Sequence, residues 1–250
     1  MIPKIIHYTW FSGDPYPEKI KNCMDSWKTY LSDYEFVHWD MNRIKDIPSV
    51  WLQECIEEKK WAFAADYVRL YALYHFGGIY LDTDCMVYKS FDDLLNLSCF
   101  IGKENLIQFQ NFNIECYLAS HCIGAEKGNG FIELCLSHYN NRHFKLIDEP
   151  RLPKVLRYDM TLLPFIQSEI AKTLGYNPTP SYQQIQELND VTIFPSSYFD
   201  PHSEKEKFTY CKHLGAGSWI EPWTFVEKMT WKTKLRWYLL GITRRLIKHL

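Results

Sequence analysis

Trp61-Ala62-Phe63-Ala64-Ala65-Asp66-Tyr67-Val68-Arg69-Leu70-Tyr71-Ala72-Leu73-Tyr74-His75-Phe76-Gly77-Gly78-Ile79-Tyr80-Leu81-Asp82-Thr83-Asp84 is the stretch from which the rest of the chain can be read. Residues 61–76 are apolar almost all round, with Phe63, Val68, Leu70, Leu73 and Phe76 on opposing faces, which predicts a helix buried beneath other elements. Gly77-Gly78 supplies a C-cap and a turn, and Ile79–Leu81 reads as a short apolar strand. Alternation along that strand sends Asp82 and Asp84 to the same side. Two carboxylates so placed can face one hard cation that also holds phosphate oxygens.

Working outward, Lys4 to Trp10 forms a strand pattern, followed by the turn-rich Ser12-Gly13-Asp14-Pro15 and a helical stretch from about Pro17 to Leu31. A second strand runs from Tyr34 to Trp39, and a short helix from Val50 to Lys59. This repeated strand, helix, strand order predicts an α/β fold of Rossmann-like type: a mostly parallel sheet flanked by helices, with ligands beyond the carboxyl ends of strands. After Asp84 the strand candidates are Met86–Tyr88, Cys99–Gly102, Cys116–Ala125 and Val191–Phe194, and the helix candidates Gly130–Tyr139 and Thr161–Leu174. Asn141 to Asp159 mixes charge with two prolines and lacks a period, so a loop or mobile insertion is expected there. The chain divides into a domain over 1–227 and a basic amphipathic C-terminal helix over 228–250.

Composition narrows the class. With 250 residues, 46% hydrophobic and 16% aromatic, the chain can bury a sizeable core, and disorder is excluded. The net charge of -2 hides an asymmetry: residues 228–250 hold seven Lys or Arg and no acid, leaving 21 bases against 30 acids in the other 227 residues. An acidic body with a basic tail argues against nucleic acid and for an anionic surface at the tail. Trp231, Leu235, Tyr238, Leu239, Ile242 and Leu246 recur there at helical steps, which suits either packing on the body or an anionic membrane surface. The eight cysteines are scattered without a C-x-x-C pair, as buried reduced thiols would be. Met1-Ile2-Pro3-Lys4 lacks the pattern of a signal peptide, and no apolar run is long enough to span a bilayer. A cytoplasmic location follows as the expectation, peripheral on the inner face of the membrane if the tail attaches.

Several polar residues interrupt apolar surroundings. Asp66 and Arg69 stand three apart on the buried helix, where charges must be paired or hydrogen-bonded. They form either an internal ion pair or the wall of a cleft whose ligand hydroxyls satisfy them. Asp82 and Asp84 suit manganese or magnesium bound to a diphosphate; an acidic solvated turn, or an aspartyl phosphatase with Asp82 as nucleophile, are the rivals. Phosphatase chemistry is expected on a first strand, and this strand is the third. In His213-Leu214-Gly215-Ala216-Gly217-Ser218-Trp219, His213 could complete a mixed nitrogen and oxygen metal site, and Ser218 and Trp219 could donate hydrogen bonds to phosphate oxygens. Trp10, at the carboxyl end of the first strand, offers a flat ring on which a base could stack.

Taken together, Ile2-Pro3-Lys4-Ile5-Ile6-His7 through Trp10, Ala65-Asp66-Tyr67-Val68-Arg69, Gly77 to Asp84 and His213 to Trp219 resemble the D-x-D sugar-transferase family (glycosyltransferase family 32). That family includes Och1-like yeast mannosyltransferases and bacterial capsule or O-antigen transferases, with the cores of clostridial glucosylating toxins as distant relatives. The resemblance implies a GT-A fold, a nucleotide-sugar donor, a divalent metal and retention of anomeric configuration. It implies Trp10 on the base, Asp66 and Arg69 on donor-sugar hydroxyls, and Asp82 on ribose and sugar. Asp84 would ligate the metal with His213 or Ser218, and Trp219 would steady the leaving diphosphate. The sequence departs from the family at Ser120-His121-Cys122-Ile123-Gly124, where relatives often carry an Asn before a hydrophobic-Gly pair, and at Thr161-Leu162-Leu163-Pro164. The expected partners are a UDP-sugar, or GDP-mannose, and a saccharide or lipid-linked acceptor in surface polysaccharide synthesis. A D-x-D phosphohydrolase and a non-catalytic nucleotide-sugar binding module are the alternatives.

Overall fold

The computed structural model describes residues 1–104, 117–151, 154–179, 181–201 and 206–215. Ser218, Trp219 and the 228–250 segment lie outside them, as does Cys116. The elements are β1 (Ile5–Thr9), α1 (Glu18–Tyr30), β2 (Glu35–Trp39), α2 (Met41–Ile44), α3 (Val50–Glu57), α4 (Trp61–Phe76), β3 (Gly78–Leu81) and β4 (Cys85–Val87). They continue through β5 (Cys99–Lys103), β6 (Leu118–Ala125), α5 (Gly130–Ser137), α6 (Lys154–Arg157), α7 (Leu163–Thr173), β7 (Gln186–Glu187), β8 (Thr192–Phe194), α8 (Ser196–Phe199) and β9 (Cys211–His213).

Seven strands form one mixed sheet in the order β2-β1-β3-β6-β5-β8-β7. The pairings β1–β2, β1–β3 and β5–β8 are parallel and the other three antiparallel, so all strands except β6 and β7 run one way. The first three strands set the geometry of the site. From β1 the chain passes through α1 to β2 on one side, then returns through α3 and α4 to β3 on the other. The connections diverge there, so a crevice opens beyond the carboxyl ends of β1 and β3, where ligands bind in open α/β sheets.

Helix α4 forms because Ala62, Ala64, Ala65, Leu70, Ala72 and Leu73 are strong helix formers, and its burial supplies the stabilisation. It ends where Gly77 turns to φ 69° and donates its N–H to Leu73 O at 2.9 Å. Gly78 follows at φ 108°, and a Cβ there would lie 2.7 Å from Ile5 O, so only glycine lets β3 come so close to β1. All four β3 residues are buried. Alternation puts Tyr80 into the apolar layer with α3, α4, α5 and α7, and Ile79 and Leu81 into the layer with Trp27 of α1, Phe91 and Phe199.

One expectation is corrected here. Asp82-Thr83-Asp84 is not the end of a strand but a turn between β3 and β4, closed by Cys85 N–H donating to Asp82 O at 3.0 Å. The two carboxylates share a side because the chain reverses, not because it alternates. The 141–159 stretch is largely irregular as expected, but holds α6 and an isolated bridge between Lys145 and Tyr158. Among the described residues seven cysteines are free and buried, and no helix is long and apolar enough to cross a membrane.

Candidate functional site

Arg69 organises a buried polar cluster at the carboxyl ends of β1 and β3. Its Nη2 lies 3.1 Å from Asp66 Oδ1 and 3.4 Å from Asp82 Oδ1, while Nη1 donates to Ser120 O and Nε to Ala65 O at 3.4 Å. The guanidinium stands 4.5 Å over the ring of Tyr80, whose hydroxyl meets Asp82 Oδ1 at 3.2 Å and Thr9 Oγ1 at 2.9 Å. Thr9 ends β1 and Tyr80 lies in β3, so this relay ties the carboxyl ends of two parallel strands to one carboxylate. The Asp66 side chain is only 9% exposed, and burial raises its pKa to about 6 against the opposing pull of Arg69. Burial alone would lower the pKa of Arg69, but Asp82, Tyr80 and Asp66 outweigh it and hold the guanidinium charged. Of the two readings of Asp66 and Arg69, the internal pair is present, and it reaches on to Asp82.

Asp84 stands at the other end of the turn. Its Oδ1 lies 3.2 Å from His213 Nε2, and antiparallel pairing of β4 with β9 brings the two together by setting Cys85 opposite His213. Leu214 N–H donates to Asp84 O at 3.0 Å, so backbone fixes the same junction. Ligand atoms of Asp82, Asp84 and His213 all lie within 4.8 Å of one another. Burial would lower the His213 pKa, but the hydrogen bond and charge of Asp84 prevail and raise it. Two carboxylates and an imidazole, converging from a turn and a facing strand, are a donor set that fits manganese or magnesium.

Trp10 follows Thr9 and borders a cavity of about 390 Å³ lined also by Gly13, Tyr16, His38, Asp40 and Asn42. Its ring packs 5.0 Å from that of Tyr16, and its Nε1–H donates to Asp14 O at 2.8 Å. The structure therefore brings Asp66, Arg69 and Asp82 into one cluster and Asp82, Asp84 and His213 into another, and it does not place Trp10 in either. Sequence reasoning missed Thr9, Tyr80 and His121. His121 stacks on His213, with ring centroids 4.8 Å apart and planes 7° from parallel. Its signal in the sequence was a polar residue on an otherwise apolar strand, at a departure from the family pattern.

The fold is an open, mixed α/β sheet with a carboxylate and imidazole cluster at the carboxyl end of β3. Residues 17–101 match the family described as the glycosyltransferase sugar-binding region containing the DXD motif, so the chain carries that region and the family resemblance holds. The matched segment runs from α1 into β5 and contains Asp66, Arg69, Asp82 and Asp84, but not Trp10, His121 or His213. Inositol phosphoceramide mannosyltransferase 2 of Schizosaccharomyces pombe is 26% identical over 205 residues, covering 80% of this chain and 56% of that protein. Inositol phosphoceramide mannosyltransferase 3 of the same yeast is 29% identical over 135 residues, covering 52% and 35%. The chain thus spans about a third to a little over half the length of these two relatives. Among solved structures, the galactosyltransferase LGTC aligns over 95% of both chains at 11% identity and a TM-score of 0.45.

Proposed function

We propose that this chain is a retaining, divalent-metal-dependent glycosyltransferase that moves a hexose from a nucleotide sugar to a saccharide or lipid-linked acceptor. The observation that carries the reading is the convergence of Asp82, Asp84 and His213 within 4.8 Å, beside an Arg69 that is 3.4 Å from Asp82. Asp84 and His213 would hold the cation, with Asp82 as the third donor, and a cation there would neutralise charge on the departing nucleoside diphosphate. Arg69 fixes Asp82 and, with Asp66, forms the floor against which the donor sugar's hydroxyls lie. Trp10 stacks on the base in the cavity it borders.

The acceptor hydroxyl attacks the anomeric carbon on the face from which the phosphate departs, and its proton passes to that phosphate. Asp66 is a poor nucleophile here because its carboxylate is committed to Arg69 and to Leu163 N–H, 3.4 Å away. A trapped glycosyl-Asp66 adduct would overturn this route. Mannosyl transfer to an inositol-containing lipid, named for the yeast relatives, gives the first substrate pair to try. The basic 228–250 segment suits an anionic membrane surface, at which each basic residue contributes on the order of 1 kcal/mol. Equal sedimentation with anionic liposomes with and without that segment removes this part.

The test is release of nucleoside diphosphate from a panel of UDP- and GDP-sugars, with and without manganese. Manganese-dependent release supports transfer. Phosphate release alone points to a phosphohydrolase, and binding without release to a binding module.

A further inference from the structure

His121 is buried on β6, five per cent exposed, among residues that are otherwise apolar or small. Its Nε2 lies 3.2 Å from Phe199 O. A carbonyl oxygen only accepts, so Nε2 carries the proton and donates, and the lone pair falls on Nδ1. That bond fixes the plane of the ring, and the ring lies flat against His213. His213 sits on a strand of three residues whose side chain is about one-third exposed. On one edge it meets Asp84; on its face it meets His121.

We propose that His121 is a positioning residue for the metal site: Phe199 O sets the His121 ring, and that ring sets the orientation in which His213 presents Nε2 beside Asp84. This rests on the reading of Asp82, Asp84 and His213 as cation ligands and extends it to a residue that itself touches neither cation nor substrate. A pure packing role requires only an apolar body of similar volume, which phenylalanine supplies. The positioning role requires both a flat ring and a donor to Phe199 O, because without the donor the plate is free to rotate about χ2. Hydrogen-bonded partners that orient a ligating histidine typically change metal affinity by about 10- to 100-fold when removed, and that sets the scale for a stacked ring in the same role.

The experiment is manganese titration of the full chain, read from the electron paramagnetic resonance signal of free Mn²⁺, for the unaltered protein, His121→Phe, His121→Ala and His213→Ala. Thermal melting in the absence of metal accompanies each titration. The expected result is a site in the unaltered protein that His213→Ala abolishes, His121→Ala weakens by at least about tenfold, and His121→Phe weakens by an intermediate factor while melting normally. Unchanged affinity in both His121 variants, with the site present and sensitive to His213→Ala, overturns the positioning role and leaves the metal site standing. No site in the unaltered protein overturns the metal reading, and this inference with it. Should His121→Ala fail to fold, His121→Phe alone decides: affinity equal to the unaltered protein contradicts the proposal.

Discussion

At the scale of single residues, the site is built from charges that are stable only in company. Removing Arg69 leaves Asp66 and Asp82 facing each other, with Asp66 buried. Arg69→Met is therefore expected to lower unfolding free energy by about 3–5 kcal/mol, measured by urea denaturation, and adding Asp66→Asn should recover part of it. His7 gives a second prediction. Trp39 Nε1–H donates to its Nδ1 at 3.1 Å, so Nε2 carries the proton and donates to Gly77 O at 2.7 Å. Burial lowers its pKa from 6.5 to about 4. Between those values the unfolded chain binds a proton that the folded chain refuses, so the contribution present above pH 6.5 is lost on acidification towards pH 4. The total is on the order of 3 kcal/mol. His7→Gln can keep both hydrogen bonds and does not titrate, so its urea midpoint should fall less over that window; identical slopes would refute the assignment.

At the scale of elements, what was legible in the sequence was whatever had a period or a breaker. Helix α4 and strand β3 announced themselves through an apolar run and the Gly77-Gly78 pair, and β1, α1 and β2 through alternation and turn residues. The Asp82–Asp84 turn is not legible because an alternating pattern does not show where a strand stops; here a backbone hydrogen bond from Cys85 N–H to Asp82 O closes the turn. Strands β7 and β9, of two and three residues, are too short for any period, and exist because a neighbouring strand pairs with them. Hence His213 could be named from its glycine-rich company, while the strand that aims it could not. His121 was passed over because a single histidine in an apolar strand has no spacing to interpret. The α4–β3 junction offers a test at this scale. Gly78→Ala adds a Cβ 2.7 Å from Ile5 O at φ 108° and should cost about 1–3 kcal/mol, with the site strand displaced. Chemical denaturation near the unaltered value would show that the junction tolerates a side chain.

At the scale of the whole molecule, the connections from β1 run to β2 on one side and back to β3 on the other, and the Arg69 cluster and the turn that carries Asp84 to His213 lie at the carboxyl end of β3. Asp84→Asn removes charge from the pair without changing its shape, and should reduce release of nucleoside diphosphate by about a hundredfold or more, as loss of several kcal/mol of charge stabilisation does. The most direct measurement is an anomalous difference map, at the manganese edge, from crystals grown with manganese and UDP or GDP. The account predicts one peak bonded to Asp84 and against the diphosphate, with Arg69 and Asp66 facing the neighbouring sugar site; no peak there, or a nucleotide bound away from Asp84, would contradict it.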